Sequence, residues 1–246
     1  GGRASQSRIP RRPPTAGRLG WMFPERINMP EAVFFDMDGT LVDSELLYAR
    51  ALAATVCERG GELSVSNALQ IVIGQSWEYK HEVIDQLHPG MYASASELEA
   101  CAAEFFDGPQ SYMDLCISSS LELLRRLAKN LPVGIVSGSS RGHLLRLIEE
   151  IGIGNELKLV LGFENYSPGK PDPACYNLAA KQLSMTSHRC LVFEDSTVGV
   201  LAAKAAGMMC VGFARPGGPP QDLTSADLVL KNLSEFEFEM LPIQQP

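Results

Sequence analysis

The sequence predicts an α/β fold: a parallel sheet with helices on both faces, and a helical segment inserted after its first strand. Three observations predict it. Val33-Phe34-Phe35 is a run of β-branched and aromatic residues that ends at Asp36-Met37-Asp38-Gly39, an acidic pair followed by a turn glycine. From Ser120 onward, short apolar runs alternate with helical stretches, the order that packs as a parallel sheet. Between these regions lie about 75 residues of helical periodicity with no convincing strand before Pro132.

The elements follow in order. Residues 1–29 hold six arginines and one acid, Glu25, and are broken by Pro10, Pro13, Pro14 and Gly17, so a disordered extension is expected. Arg-rich, acid-poor ends also occur in organelle transit peptides. Met22 and Met29 each offer a start, so the stretch reads equally as sequence extraneous to the native protein. A helix begins at Ser44 and runs through Leu47, Ala51, Ala54 and Val56. Further helices are expected over 66–73, 76–87 and 96–107, broken at Gly74, Pro89-Gly90 and Gly108-Pro109. After these come helix 120–129, strand 132–137, helix 141–151, strand 158–163 and helix 173–183. Strand 190–194, helix 197–206 and strands 209–213 and 227–230 complete the chain. Residues 30–43 and 119–246 would then form the core, and 44–118 the insertion.

Composition narrows the function. Hydrophobic residues make up 45% of the 246, yet no apolar run approaches the roughly 20 residues of a membrane span. The net charge of −8 becomes −13 once the first 29 residues are set aside, which argues against a nucleic-acid surface. Cys57, Cys101, Cys116, Cys175, Cys190 and Cys210 are scattered and form no CxxC pair. They are expected as reduced thiols in a cytoplasmic protein, or in an organelle if the N-terminus is a transit peptide. His81, His88, His143 and His188 show no metal-ligand spacing.

The chemistry gathers at strand ends. Side chains alternate along a strand, so Asp36 and Asp38 share a face at the carboxyl end, where parallel sheets bind ligands. Two such acids repel unless a cation or a shared proton offsets them. One carboxylate can then act as nucleophile while its neighbour works as acid and base. Alone, the pair suits an acidic turn cap equally well. Three other segments stand at comparable positions: Ile135-Val136-Ser137-Gly138, Gly169-Lys170-Pro171-Asp172-Pro173, and Leu191-Val192-Phe193-Glu194-Asp195-Ser196 with Gly199 following. Singly, Ser137 reads as a turn residue, Lys170 as an exposed loop charge and Glu194-Asp195 as a helix N-cap.

Together and in this order, the four segments resemble the four motifs of the haloacid dehalogenase superfamily, whose first signature is DxDGT. The resemblance runs from about Ala32 to Phe213. It implies a Rossmann-like core with a small α-helical cap of the C1 type inserted between motifs I and II. Only about 30 residues separate motifs II and III, too few for the larger C2 cap. It implies a phosphoric monoester hydrolase that transfers a phosphoryl group through an aspartyl phosphate. By resemblance, Asp36 is the nucleophile and Asp38 the acid and base. Mg²⁺ would be held by the Asp36 carboxylate, the Asp38 backbone carbonyl and Asp195, with Glu194 a second ligand directly or through water. Ser137 and Lys170 would hold the phosphoryl oxygens, assisted by backbone amides at Met37 and Gly138.

Asp43-Ser44-Glu45 matches the branch that contains beta-phosphoglucomutase and the sugar-phosphate phosphatases. The mutase carries a cap-linker histidine ten residues after its second aspartate and a cap-loop arginine. Here Tyr48 and Trp77 occupy those places, which favours hydrolysis. Glu45, Tyr48, Ser76, Trp77 and Lys80 are the candidates to face substrate. Trp77 packed in the cap core and Lys80 turned to solvent is an equally open reading. Arg141 and His143, opening the helix after motif II, are weaker candidates. The expected protein is thus a monomeric Mg²⁺-dependent phosphatase of small phosphorylated metabolites, sugar phosphates foremost, with no nucleic-acid or membrane partner. A mutase of the same mechanism, or a catalytically weak binding or regulatory module, are the alternatives.

Overall fold

The computed structural model describes residues 29–72, 77–105 and 112–242. Ser76 and all but the last residue of the Arg-rich extension lie outside them.

Among the described residues six strands make one sheet: β1 Ala32–Phe35, β2 Val133–Val136, β3 Leu157–Leu161, β4 Cys190–Glu194, β5 Met209–Phe213 and β6 Leu228–Leu230. Every pairing is parallel, in the order β3-β2-β1-β4-β5-β6. That is the order of a doubly wound, Rossmann-like sheet, in which the chain works outward from β1 to one side and then to the other. The carboxyl ends of β1 and β4 therefore meet at the switch point. The register Phe35↔Phe193 sets Asp36 and Glu194 side by side, each one step further along its strand.

β1, β2, β4 and β5 are buried along their whole length, which is why they read as continuous apolar runs rather than alternating ones. On one face Val33, Phe35, Ile135, Phe193 and Val211 pack with leucines of α5 (Ser118–Ala128) and α6 (Arg141–Ile151). Phe35 stacks on Phe193 at 4.7 Å, and Phe236 closes on Phe193 edge-on at 5.1 Å. On the other face Phe34, Val136, Val192 and Cys210 meet α7 (Ala174–Gln182) and α8 (Thr197–Ala205). Truncating one of the sheet phenylalanines to alanine would cost about 3–5 kcal/mol.

The segment between β1 and β2 contains α1 Ser44–Glu58, α2 Val65–Val72, α3 Trp77–Leu87 and α4 Ala95–Ala103. It has an apolar cluster of its own, built on Leu52, Val56, Ala68, Ile71, Ile84, Tyr92 and Leu98. Its two connections to the sheet run side by side: Asp43 N donates to Leu115 O at 2.8 Å and Ile117 N to Leu41 O at 2.9 Å. Asp43 also caps α1, accepting from Leu46 N at 3.1 Å.

Most boundaries fall within two residues of expectation. β3, expected over 158–163, ends at Leu161 because Gly162 turns the chain against the loop after β2. A Cβ there would lie 2.4 Å from Arg141 N and 2.8 Å from Ser139 O. α4, expected to reach 107, ends at Ala103, and residues 106–111 lie outside the described ones. None of the six cysteines is joined in a disulfide, as expected. Among the described residues no helix is long and apolar enough to cross a membrane.

Candidate active site

Asp36 continues the ladder of β1 by donating its amide to Phe193 O at 3.0 Å, so its carboxyl is aimed by the sheet itself. Beyond it the chain folds back: Leu41 N and Val42 N both donate to Met37 O, at 2.9 and 3.1 Å. Gly39 makes this possible with φ of +79°, and a Cβ there would sit 2.0 Å from Asp195 Oδ2. Conformation and the closeness of the acid both require glycine. Thr40 then donates through Oγ1 to Asp195 Oδ1 at 2.9 Å, linking the turn to the end of β4.

Lys170 lies at the centre. Its Nζ donates to Asp36 Oδ1 at 2.7 Å, Glu194 Oε1 at 2.5 Å and Val136 O at 3.1 Å. Glu194 is fully buried and accepts further from Tyr176 OH at 2.7 Å and Ser196 Oγ at 3.0 Å. Space for its carboxyl exists because α8 carries Gly199 there: a Cβ would fall 1.9 Å from the Glu194 carboxyl carbon.

Burial pushes the Asp36 carboxyl well above its ordinary range; Lys170 opposes the shift, while Glu194, Asp195 and Asp38 add to it. Burial works against the Lys170 charge too, but the Asp36 and Glu194 carboxylates outweigh it and hold the ammonium well above its usual range. Asp195 is pushed up to about 7, first by burial and then by Glu194. Oxygens of Asp36, Glu194 and Asp195 all lie within 4.8 Å of one another. Three carboxyls against one ammonium leave an excess of negative charge, and every donor is a hard oxygen. That set fits a divalent cation of the magnesium kind and suits a softer, thiolate-seeking metal poorly.

The end of β2 meets the other acid. Ser137 Oγ donates to Asp38 Oδ2 at 3.0 Å, and Ser139 Oγ donates to the same oxygen at 2.6 Å. Tyr166 OH holds the Ser137 carbonyl at 2.8 Å. Gly138 is exposed, with open space where a Cβ would stand. The Ser137 hydroxyl, expected to face phosphoryl oxygens, is thus turned to Asp38 in this structure.

Of the other candidates, α1 carries Glu45 and Tyr48, and α3 carries Trp77 and Lys80. Burial, then the negative charge of Asp38, pushes the Tyr48 phenol up to about 12. Trp77 is half-buried against the insertion's own core and meets Tyr48 edge-on at 6.4 Å. Lys80 does not point to solvent: it is 6% exposed, with Nζ 4.4 Å above the Trp77 ring and 5.5 Å from that of Tyr48. Glu45 turns its carboxylate to Arg215, which also donates to Asp43 Oδ2 at 2.7 Å. Arg215 borders a cavity of about 240 Å³ that opens beside Asp195. The Arg141 amide donates to Glu164, and the His143 amide is capped by Ser140.

Sequence reasoning missed the parts played by Thr40, Ser139, Tyr176 and Arg215. Thr40 had a signal, since it ends the DxDGT run, and Ser139 is a second hydroxyl two residues after Ser137. Tyr176 and Arg215 carry no local signal.

A family model of haloacid dehalogenase-like hydrolases matches residues 30–207, from β1 through α8. The chain belongs to the haloacid dehalogenase-like hydrolase family. This haloacid dehalogenase-like hydrolase is 31% identical over 213 residues to the validoxylamine A 7'-phosphate phosphatase of Streptomyces hygroscopicus subsp. limoneus, covering 85% of this chain and 97% of that one. It is 29% identical over 223 residues to a phosphoglycolate phosphatase of Photorhabdus laumondii subsp. laumondii, covering 83% and 90%. A hydrolase of the same family from Deinococcus radiodurans R1, whose crystal structure contains bound phosphate and sodium, superposes with a TM-score of 0.68 at 29% identity, covering 88% and 99%. The expectation of a phosphoric monoester hydrolase stands with the family and with these phosphatase relatives.

Proposed function

We propose that this hydrolase is a magnesium-dependent phosphatase of small phosphorylated metabolites, sugar phosphates foremost, that carries the phosphoryl group on Asp36. The observation that carries the reading is the Asp36 carboxylate held at 2.7 Å by Lys170 within a cluster of three acids, two of them buried. A carboxylate there is oriented by the sheet and shielded from water, which suits a nucleophile. Magnesium would be held by Asp36, Asp195 and the Asp38 carbonyl, with Glu194 beside them, and when bound it would supply the charge that lets two anions meet.

The residues then divide the work. Asp36 attacks phosphorus, and the bond from phosphorus to the leaving oxygen breaks. Asp38 hands that oxygen a proton. In the second half, water attacks phosphorus, Asp38 takes its proton, and inorganic phosphate departs with Asp36 restored. Lys170, Ser137 and the Gly138 amide hold phosphoryl oxygens as charge builds on them. The helices of residues 44–118 act as a C1 cap, with Tyr48, Trp77 and Lys80 toward the leaving group. Six cysteines that form no disulfide support a reducing compartment, the cytoplasm.

Tyr48 favours hydrolysis over a mutase. It stands where beta-phosphoglucomutase has a histidine, and a phenol pushed up to about 12 does not exchange protons near neutrality as an imidazole does. Phosphate release from a panel of phosphorylated sugars, with and without Mg²⁺, tests the reading. Release that needs the metal supports it. Release that ignores the metal, or isomerised sugar phosphate without release, overturns it.

A further inference from the structure

We infer that Ser139 is a positioning residue for the acid, fixing which oxygen of Asp38 delivers the proton. The inference rests on the acid role proposed for Asp38. It starts from a conflict at Ser137. That hydroxyl has one hydrogen, and in this structure it goes to Asp38 Oδ2 at 3.0 Å. A phosphoryl oxygen arriving at Ser137 must take the same hydrogen. Ser139 Oγ, at the shorter distance of 2.6 Å, is then the donor that keeps hold of Asp38 Oδ2.

Ser139 is built to stay in place. Its amide donates to Ser137 Oγ at 3.0 Å, and its carbonyl accepts from Phe163 N at 3.1 Å. Gly162 packs against that carbonyl so closely that a Cβ would reach it at 2.8 Å, and the next residue, Ser140, caps α6. Amide, carbonyl and hydroxyl are all engaged, so the hydroxyl is aimed by a rigid loop. A hydroxyl donating to Oδ2 favours the carboxylic acid whose proton sits on Oδ1. That leaves Oδ1 as the oxygen that gives its proton to the leaving group, and Oδ2 as the pivot about which Asp38 is held.

The test compares two aryl leaving groups that differ in basicity. The p-nitrophenolate ion leaves readily without a proton, whereas phenolate is far more basic and needs one. Values of kcat/KM for phenyl phosphate and p-nitrophenyl phosphate report the first phosphoryl transfer alone. Ser139→Ala should cost phenyl phosphate at least about tenfold more than it costs p-nitrophenyl phosphate, and Ser139→Thr should recover most of that difference. Ser139→Cys, which keeps the shape and weakens the donor, should move the ratio the same way and keeps the test open if Ser139→Ala folds poorly. Equal losses on both substrates, or none on either, would overturn the inference, because a folding or phosphate-binding role moves both alike. Asp38→Asn should show the same imbalance more strongly. If it does and the Ser139 variants do not, only the role of Ser139 fails; if it does not, the proposed acid itself is wrong.

Discussion

Arg215, just past the end of β5, donates through Nη1 to Asp43 Oδ2 at 2.7 Å and so ties the far side of the sheet to the start of α1. Asp43 is the junction of three things. It caps α1 through Leu46 N, it bonds the returning segment through Leu115 O, and it shares Arg215 with Glu45. Arg215→Gln would leave two carboxylates facing each other without a cation. The side chains are only partly buried, so a loss of about 1–3 kcal/mol is expected in urea denaturation, with Arg215→Lys falling between. Unchanged stability would mean that the junction does not depend on this pair.

The metal-free protein should become less stable as pH rises. Asp195 has its folded-state pKa pushed up to about 7, above that of an ordinary unfolded carboxylate. The folded state therefore binds more protons between about pH 4 and pH 7, and the stability this confers is lost as pH climbs through 7. Asp36, raised in the same direction, adds to the effect. The expected loss is on the order of a few kcal/mol, and millimolar Mg²⁺ should reverse it at pH 8 by supplying the missing positive charge. Melting temperatures at pH 5 and pH 8, with and without Mg²⁺, check this. A metal-free protein equally stable at both values would remove these acids as a repelling cluster.

Much of this site is legible in the chain because each motif sits where an apolar strand stops. Phe35 gives way to Asp36, Val136 to Ser137 and Phe193 to Glu194, and a parallel sheet brings those ends together whatever the loops do. What stays hidden depends on partners far apart in sequence. Ser139 and Asp38 are 101 residues apart, and Arg215 and Asp43 are 172 apart. No local pattern announces either pair. Lys80 shows the same limit from another side: an exposed-looking helix lysine is buried because Trp77 and Tyr48 offer it ring faces.

Removing an acid from the cluster should show in the metal requirement before it shows in the fold. Asp195 is held by Thr40 and stands within 4.8 Å of Asp36 and Glu194. Asp195→Ala should raise the Mg²⁺ concentration for half-maximal activity by at least about tenfold. An unchanged metal titration would take Asp195 out of the metal site.

The helices of residues 44–118 should govern which substrate is accepted and leave the phosphoryl chemistry largely alone. Trp77 and Lys80 are stacked together there, near Tyr48. Replacing both by alanine should lower kcat/KM for the preferred sugar phosphate at least about tenfold more than for p-nitrophenyl phosphate, which offers these helices little to grip. Equal losses on both would reject this pair as the specificity element.

The central claim is that Asp36 carries the phosphoryl group. Acid quenching during steady-state turnover, followed by mass spectrometry of the peptide that contains Asp36, addresses it directly. One phosphoryl group is expected on that aspartate in the presence of substrate and Mg²⁺, and neither the adduct nor turnover in Asp36→Asn. Phosphate release by the wild-type protein with the phosphoryl group on another residue, or sustained turnover by Asp36→Asn, would contradict it.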